Sequence, residues 1–435
     1  MESDPELSKI NFPELPVVSI LPDIRRMLQQ NDSLLISAEP GAGKSTLVPL
    51  ALLDESWAEG QKIILLEPRR IAARAAAVRM SELAGDRVGG LIGYRTGMDS
   101  VCGKNTRIEI VTEAILTRMI QDDPSLEGVC AVIFDEFHER SIHADLGLTL
   151  FLEAREAFRP ELKLLIMSAT LNCSELQKII PGVQQISSKG RCFPVSVIYA
   201  PGKPGQSLED QVASSVCGAL QSFPGDMLIF LPGEGEIRKC MAASKELAEK
   251  RNFNMEELSF LALYGNLSST EQDRVIGRQK NDEPHCRKII FATAIAESSI
   301  TVEGVRIVID SGWMRVPRFS PATAMNRLET VRVSKASAEQ RKGRAGRTSE
   351  GVCIRLWHQS QEIHFQEYQQ PEILDADLAS LALELALWGT APSAVKDMKW
   401  CDVPPENKLL QAWNLLKSLD CIDDAGHLKA YGKKL

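Results

Sequence analysis

Short apolar runs alternate along the chain with longer stretches of helical periodicity, beginning near Ser33. The runs at 34–37, 62–66, 107–111, 131–134 and 164–167 have the length of strands, and between them 70–83 and 142–158 read as helices. Such alternation predicts parallel α/β units. A break follows at 186–194, ISSKGRCFP, rich in small residues and closed by proline. The alternation then restarts, with strands predicted at 195–199, 227–231, 288–291, 305–309 and 352–356. Two α/β halves are therefore expected, over 1–190 and 191–365. From 366 to 435 the pattern turns helical, at 377–387 and 407–419, and the tail 423–435 reads as the first strand of an incomplete winged-helix unit.

Composition narrows the class without naming a function. The 435 residues are 44% hydrophobic, 25% charged and 6% aromatic, ordinary for a globular protein of two to four domains. No run of 18 uncharged apolar residues occurs, so no membrane-spanning helix is expected, and MESDPELSK at the start lacks the features of a secretory signal. The ten cysteines are scattered, with no Cys-x-x-Cys pair, which points away from a zinc ribbon and toward a reducing, cytoplasmic setting. Fifty basic against 58 acidic side chains leave a net charge of −8. A phosphate-rich partner would have to be held by local clusters, not by a basic surface.

Three stretches carry chemistry. Residues 33–45, SLLISAEPGAGKS, run from an apolar strand through a glycine-rich turn into a helix opened by Lys44 and Ser45. Gly41 and Gly43 permit left-handed backbone, so successive N–H groups can point at an anion, and the helix N-terminus adds its dipole. Lys44 can reach the β- and γ-phosphates while the Ser45 hydroxyl ligates Mg²⁺. Ala38 stands where the strict pattern has glycine, at a strand end that need not touch phosphate.

In CAVIFDEFHER, 130–140, four apolar residues end in Asp135 and Glu136, at the C-terminal edge of a buried strand where open parallel sheets bind ligands. One carboxylate can hold hydrated Mg²⁺ and the other can deprotonate an attacking water. A zinc site on His138 and His143 is excluded by spacing, since five residues swing the rings off one helix face. In SAEQRKGRAGRT, 337–348, Ser337 and Gln340 fit a capping box. Gly343 and Gly346 are costly in a helix kept for solubility alone. Beside Arg341, Arg344 and Arg347, which share one helix side, they suggest close approach to a bulky anion and a guanidinium set against transferring phosphate.

The ordered series resembles the DEAH-type helicases of superfamily 2, and within them the bacterial HrpB group. It comprises the phosphate loop, EPRRIAAR (67–74), VTEAIL (111–116), DEFHER (135–140), SAT (168–170), LIFLPGEGEI (228–237), FATAIAESSIT (291–301) and QRKGRAGR (340–347). PEILDADLASLALELALWG (371–389) is the stretch most like the HrpB group. Phe137 replaces the usual alanine of the DEAH box, and Lys342 another alanine, both between functional positions.

The resemblance implies two tandem RecA-like domains followed by a partial winged-helix segment. It implies ATP, with other nucleoside triphosphates accepted, and Mg²⁺ held by Ser45, Asp135 and Glu136. Gly41, Ala42, Gly43, Lys44, Ser45 and Thr46 would form the nucleotide loop. Glu136 would be the general base, Gln340 would position the water, and Arg344 and Arg347 would be arginine fingers across an interdomain cleft. Arg79 and Trp313 match positions that sandwich the base, although Trp313 could equally be core packing. Arg69, Arg70, Arg95, Thr112 and Thr293 would line a single-strand channel, binding backbone without reading sequence. His138, Ser168 and Thr170 would couple the two sites, and 315–333 would form a duplex-splitting β-hairpin or a plain ribbon.

The expected activity is NTP hydrolysis coupled to 3′→5′ movement on single-stranded RNA or an RNA duplex with an overhang, without membrane association. An RNA clamp with little unwinding, and the same motor on DNA, remain alternatives, because only 2′-hydroxyl contacts separate the two nucleic acids.

Overall fold

The computed structural model describes residues 12–434 except 40, 170–172, 189–192, 277–285, 298–301, 303, 321–324 and 348. It divides into two units. The first comprises Met1–Gly190, Pro317–Arg327 and Gln370–Leu435, the second Arg191–Val316 and Leu328–Gln369.

The first unit is built on eight strands: β1 (Ser33–Ala38), β2 (Lys62–Glu67), β3 (Ile92–Arg95), β4 (Ser100–Val101), β5 (Ile108–Thr112), β6 (Val129–Phe134), β7 (Lys163–Ser168) and β8 (Gln184–Ser188). Their order is β4-β3-β5-β2-β6-β7-β1-β8, parallel except for the edge strand β4. Both faces are covered, as the near-continuous apolar strands require. In β2, Ile63 and Leu65 enter one core while Ile64 and Leu66 enter the other.

The C-terminal helices Ala379–Trp388 and Glu406–Ser418 join the second of these cores, through Leu381, Leu385, Trp413 and Leu416. The reason is legible in the helix Ile142–Phe158, which is buried almost all round, and such a helix needs cover on both sides. The helical C-terminal region thus packs on the first unit. Its tail, where a strand was expected, has a single antiparallel bridge between Ile422 and Leu428. Asp423 accepts the N–H groups of Ala425 and His427 and turns the chain back at Gly426, φ 91°.

The second unit's sheet contains β9 (Val195–Tyr199), β10 (Asp226–Phe230), β11 (Leu258–Leu263), β12 (Arg287–Ala292), β13 (Val305–Asp310) and β16 (Gly351–Arg355). All are parallel, in the order β11-β12-β10-β13-β16-β9. Strands β14 (Trp313–Ser320) and β15 (Met325–Arg332) pair as a separate ribbon. The two-sheet α/β architecture is the one the alternation predicts. Strands β3, β4, β8 and β11 are additions to that prediction, the first three being edge or near-edge strands with weak apolar signal. No helix among the described residues is long and apolar enough to cross a membrane.

Candidate nucleotide and nucleic-acid site

The chemistry gathers along the C-terminal edge of the first sheet. Gly41 and Gly43 adopt φ 86° and 90° after β1, and the helix Lys44–Leu52 starts at once. The left-handed φ at Gly43 is the conformation that favours glycine there, while a Cβ would come closest to the movable end of the Leu15 side chain, at 2.9 Å. Ala42 is buried, its carbonyl accepting the N–H of Val17, and Thr46 Oγ1 donates to the Gly43 carbonyl at 3.3 Å.

Lys44 is turned inward, its Nζ 2.8 Å from Glu136 Oε1 and 3.7 Å from Asp135 Oδ1. Burial lowers its pKa, but Asp135 and Glu136 outweigh that, so the ammonium is held above its ordinary value. Asp135 and Glu136 follow the end of β6, and Asp135 Oδ1 accepts the Glu136 N–H at 2.7 Å. Burial and the Glu136 charge raise the Asp135 carboxyl, against the pull of Lys44. His138 Nδ1 lies 3.3 Å from Glu136 Oε2 on the same turn. Ser168 closes β7, between β6 and β1 in the sheet, and is fully buried. Thr170 lies outside the described residues.

Glu67 belongs to this cluster, though the sequence reading did not single it out. It ends β2, beside β6, is 2% exposed, and burial together with Asp135 and Glu136 pushes its carboxyl well above the usual range. The signal was the same one that revealed Asp135, an acid closing an apolar strand. Three carboxylates therefore surround one ammonium, and Asp135 Oδ2 is buried with no hydrogen-bond partner among the described residues. That oxygen-rich surplus of negative charge fits a hard divalent cation such as Mg²⁺.

The candidate nucleic-acid residues of this unit stand on the neighbouring strands of the same edge. Arg95 closes β3, Thr112 closes β5 opposite Glu67, and Arg69 and Arg70 follow β2. Arg95 is paired with Glu109 and Arg69 with Glu139 at 2.9 Å, while Arg70 is exposed beside Met98. Arg79 stands apart, exposed on the helix Arg70–Ala84 and paired with Glu82 at 3.1 Å.

In the second unit the basic motif is more structural than its spacing suggests. The helix Lys335–Gly343 is capped by Ser334, whose side chain accepts from Ser337 N–H, so Ser337 is not the cap; Ser337 Oγ is bonded to Glu297 instead. After Gly343 the chain tightens into a 3-10 turn, Arg344–Gly346, so the three arginines do not share one α-helix.

Arg341 is fully buried between Asp310 (2.8 Å) and Glu297 (3.0 Å). Gln340 is buried, Arg344 donates to the Glu297 carbonyl, and Arg347 is half-buried. Gly346 is small because a Cβ there would meet the Phe193 carbonyl oxygen at 2.6 Å; that packing, not an anion, accounts for it. Thr293 leads the short turn Ala294–Ala296 that ends at Glu297. Trp313 is half-buried with the Arg332 guanidinium 3.8 Å from its ring centroid, one face thus covered within its own unit.

Comparison with known proteins agrees with this geometry. Residues 22–179 match the DEAD/DEAH box helicase family and residues 211–349 the helicase conserved C-terminal domain. The chain is 44% identical over 97% of its length to the Escherichia coli ATP-dependent RNA helicase HrpB, and 34% identical over 97% to E. coli ATP-dependent RNA helicase HrpA. It spans 50% of the former and 32% of the latter. A crystal structure of E. coli DEAH/RHA helicase HrpB superposes with a TM-score of 0.88 at 43% identity, over 97% of this chain and 52% of that one. The chain therefore belongs to the DEAD/DEAH-box helicases and carries both of the family's helicase domains.

Proposed function

We propose that this chain hydrolyses ATP, and other nucleoside triphosphates, and couples hydrolysis to 3′→5′ movement along single-stranded RNA in the cytoplasm. The observation that supports it most is the shared sheet edge. Lys44, Ser45, Asp135 and Glu136 occupy its β1–β6 side, and Arg69, Arg95 and Thr112 its β2–β3 side. Hydrolysis and strand binding would thus act on one rigid sheet.

Gly41 to Thr46 bind the triphosphate and Lys44 leaves its carboxylate partners for phosphate. Ser45, Asp135 and Glu136 are the residues that would hold Mg²⁺, whose chemistry when bound is to neutralise charge on the phosphate oxygens. Glu136 takes the proton of the attacking water. Gln340 orients that water, Arg344 and Arg347 offset the developing charge, and Arg79 and Trp313 stack on the base. Arg69, Arg70, Arg95, Thr112 and Thr293 hold RNA by its backbone, while His138, Ser168 and Thr170 link the strand to the nucleotide.

Phosphate release measured with and without single-stranded RNA tests the reading. RNA stimulation is expected, and an unstimulated rate would favour a clamp. Equal stimulation by DNA oligonucleotides of the same sequence would remove the RNA assignment.

A further inference from the structure

The turn that carries Glu136 and His138 is held in place by the far end of the chain. Glu136 and Arg140 are both non-glycine residues in left-handed backbone, each at φ 49°, and they bracket the single 3-10 turn Phe137–Glu139. Such backbone persists only where its surroundings over-determine it. Two hydrogen bonds close the turn from within, Glu139 N–H to the Glu136 carbonyl at 2.9 Å and Arg140 N–H to the Phe137 carbonyl at 3.2 Å.

The outside restraints converge on Arg140. Its guanidinium forks onto Asp145, Nε to Oδ1 at 2.9 Å and Nη2 to Oδ2 at 3.1 Å, and Nη2 also reaches Asp402 Oδ2 at 2.6 Å. The guanidinium lies 5.8 Å over the ring of Phe137, which is itself buried. The Arg140 carbonyl accepts the N–H of Glu372 at 3.1 Å, and the Glu372 carboxylate accepts the N–H of Ile142 at 3.1 Å.

From this arrangement we infer that Arg140 and Asp402 are positioning residues for Glu136, so that the C-terminal segment sets the aim of the carboxylate. The inference rests on the reading of Glu136 as the general base. It differs from simple docking of that segment, because other links to the same helix, Lys399 to Glu156 and Trp388 Nε1 to Glu153 at 2.9 Å, do not touch the turn. A planar, bidentate fork fixes direction as well as distance, which a point charge does not.

The test is steady-state phosphate release by the full chain carrying D402N, R140K or K399A, each also assayed for its melting temperature. Asp402 is 31% exposed, so an amide of the same shape is accommodated. D402N and R140K are expected to lower kcat on the order of 10–100-fold, the scale of a small misplacement of a reacting group. Their KM for ATP should stay within about twofold, and K399A should leave both constants unchanged. The E136Q/D402N double variant should be no slower than E136Q, since a residue acting through Glu136 has nothing left to aim.

A wild-type kcat in both D402N and R140K would overturn the inference. So would a loss matched by K399A, or a full further loss on the E136Q background. Normal turnover by E136Q alone would instead remove the general-base reading itself.

Discussion

Lys44 Nζ lies 2.8 Å from Glu136 Oε1, so the lysine that would grip phosphate is paired with the carboxylate that would take the water's proton. Binding of a triphosphate must exchange one partner for another. E136Q removes the competing charge while keeping the shape. It should bind nucleotide at least as tightly as the wild type and turn over about 10²–10⁴-fold more slowly, the usual loss with a general base. Titration with a fluorescent nucleotide and a phosphate-release assay read the two halves of this prediction separately.

Glu113 makes stability depend on pH in an unusual direction. It starts the helix Glu113–Asp122, is half-buried, and accepts a hydrogen bond from Ser141 Oγ at 2.7 Å. Burial is the main cause that lifts its carboxyl from 4.5 to about 8, with Glu139 and Glu372 adding to the rise and Ser141 and Arg69 opposing it. Between those values the unfolded chain gives up a proton that the folded one keeps. Stability from this group is therefore complete below pH 4.5 and is lost as pH rises toward 8, at about 1.4 kcal/mol per pH unit. E113Q mimics the neutral acid and can still accept from Ser141. Melting temperature against pH should fall less steeply for E113Q than for the wild type across that window.

The two sheets, the phosphate loop and the acid pair were legible because each is local. An apolar run ending in glycines or acids states its own position in a parallel sheet. Glu67 follows the same rule and could have been found by it. The place of the C-terminal helices was readable only indirectly, in the nearly unbroken apolar surface of Ile142–Phe158, which needs cover on two sides. Arg341 shows the opposite limit. Its spacing is that of its neighbours Arg344 and Arg347, and only three-dimensional packing against Asp310 and Glu297 separates a structural arginine from the rest.

Gly343 and Gly346 look equivalent in the sequence and are not. A Cβ on Gly343 meets nothing within 4 Å, and its φ of −58° suits any residue. G343A should be neutral or stabilising, by at most about 1 kcal/mol, the helix advantage of alanine. On Gly346 the Cβ would press on the Phe193 carbonyl oxygen at 2.6 Å, a backbone atom whose residue donates its N–H to the Gly346 carbonyl at 2.9 Å. G346A should lower stability by roughly 1–3 kcal/mol, as overpacking does. Denaturant midpoints of the two variants decide the matter.

Arg341 and Arg347, six residues apart in one motif, should fail in different ways. Arg341 has no exposed surface, and besides its two carboxylates it donates to the Trp313 carbonyl at 3.3 Å and lies over the Phe230 ring. R341A would leave the buried Asp310 and the half-buried Glu297 without their counter-charge, a loss of about 3–5 kcal/mol. Arg347 is half-buried. If it offsets charge on the transferring phosphate, R347A should cut kcat by at least about 10³-fold and leave the melting temperature near that of the wild type. Thermal unfolding and phosphate release on both variants give a two-by-two outcome. A stable, fast R347A would remove the finger role, and a stable, slow R341A would move that role to Arg341.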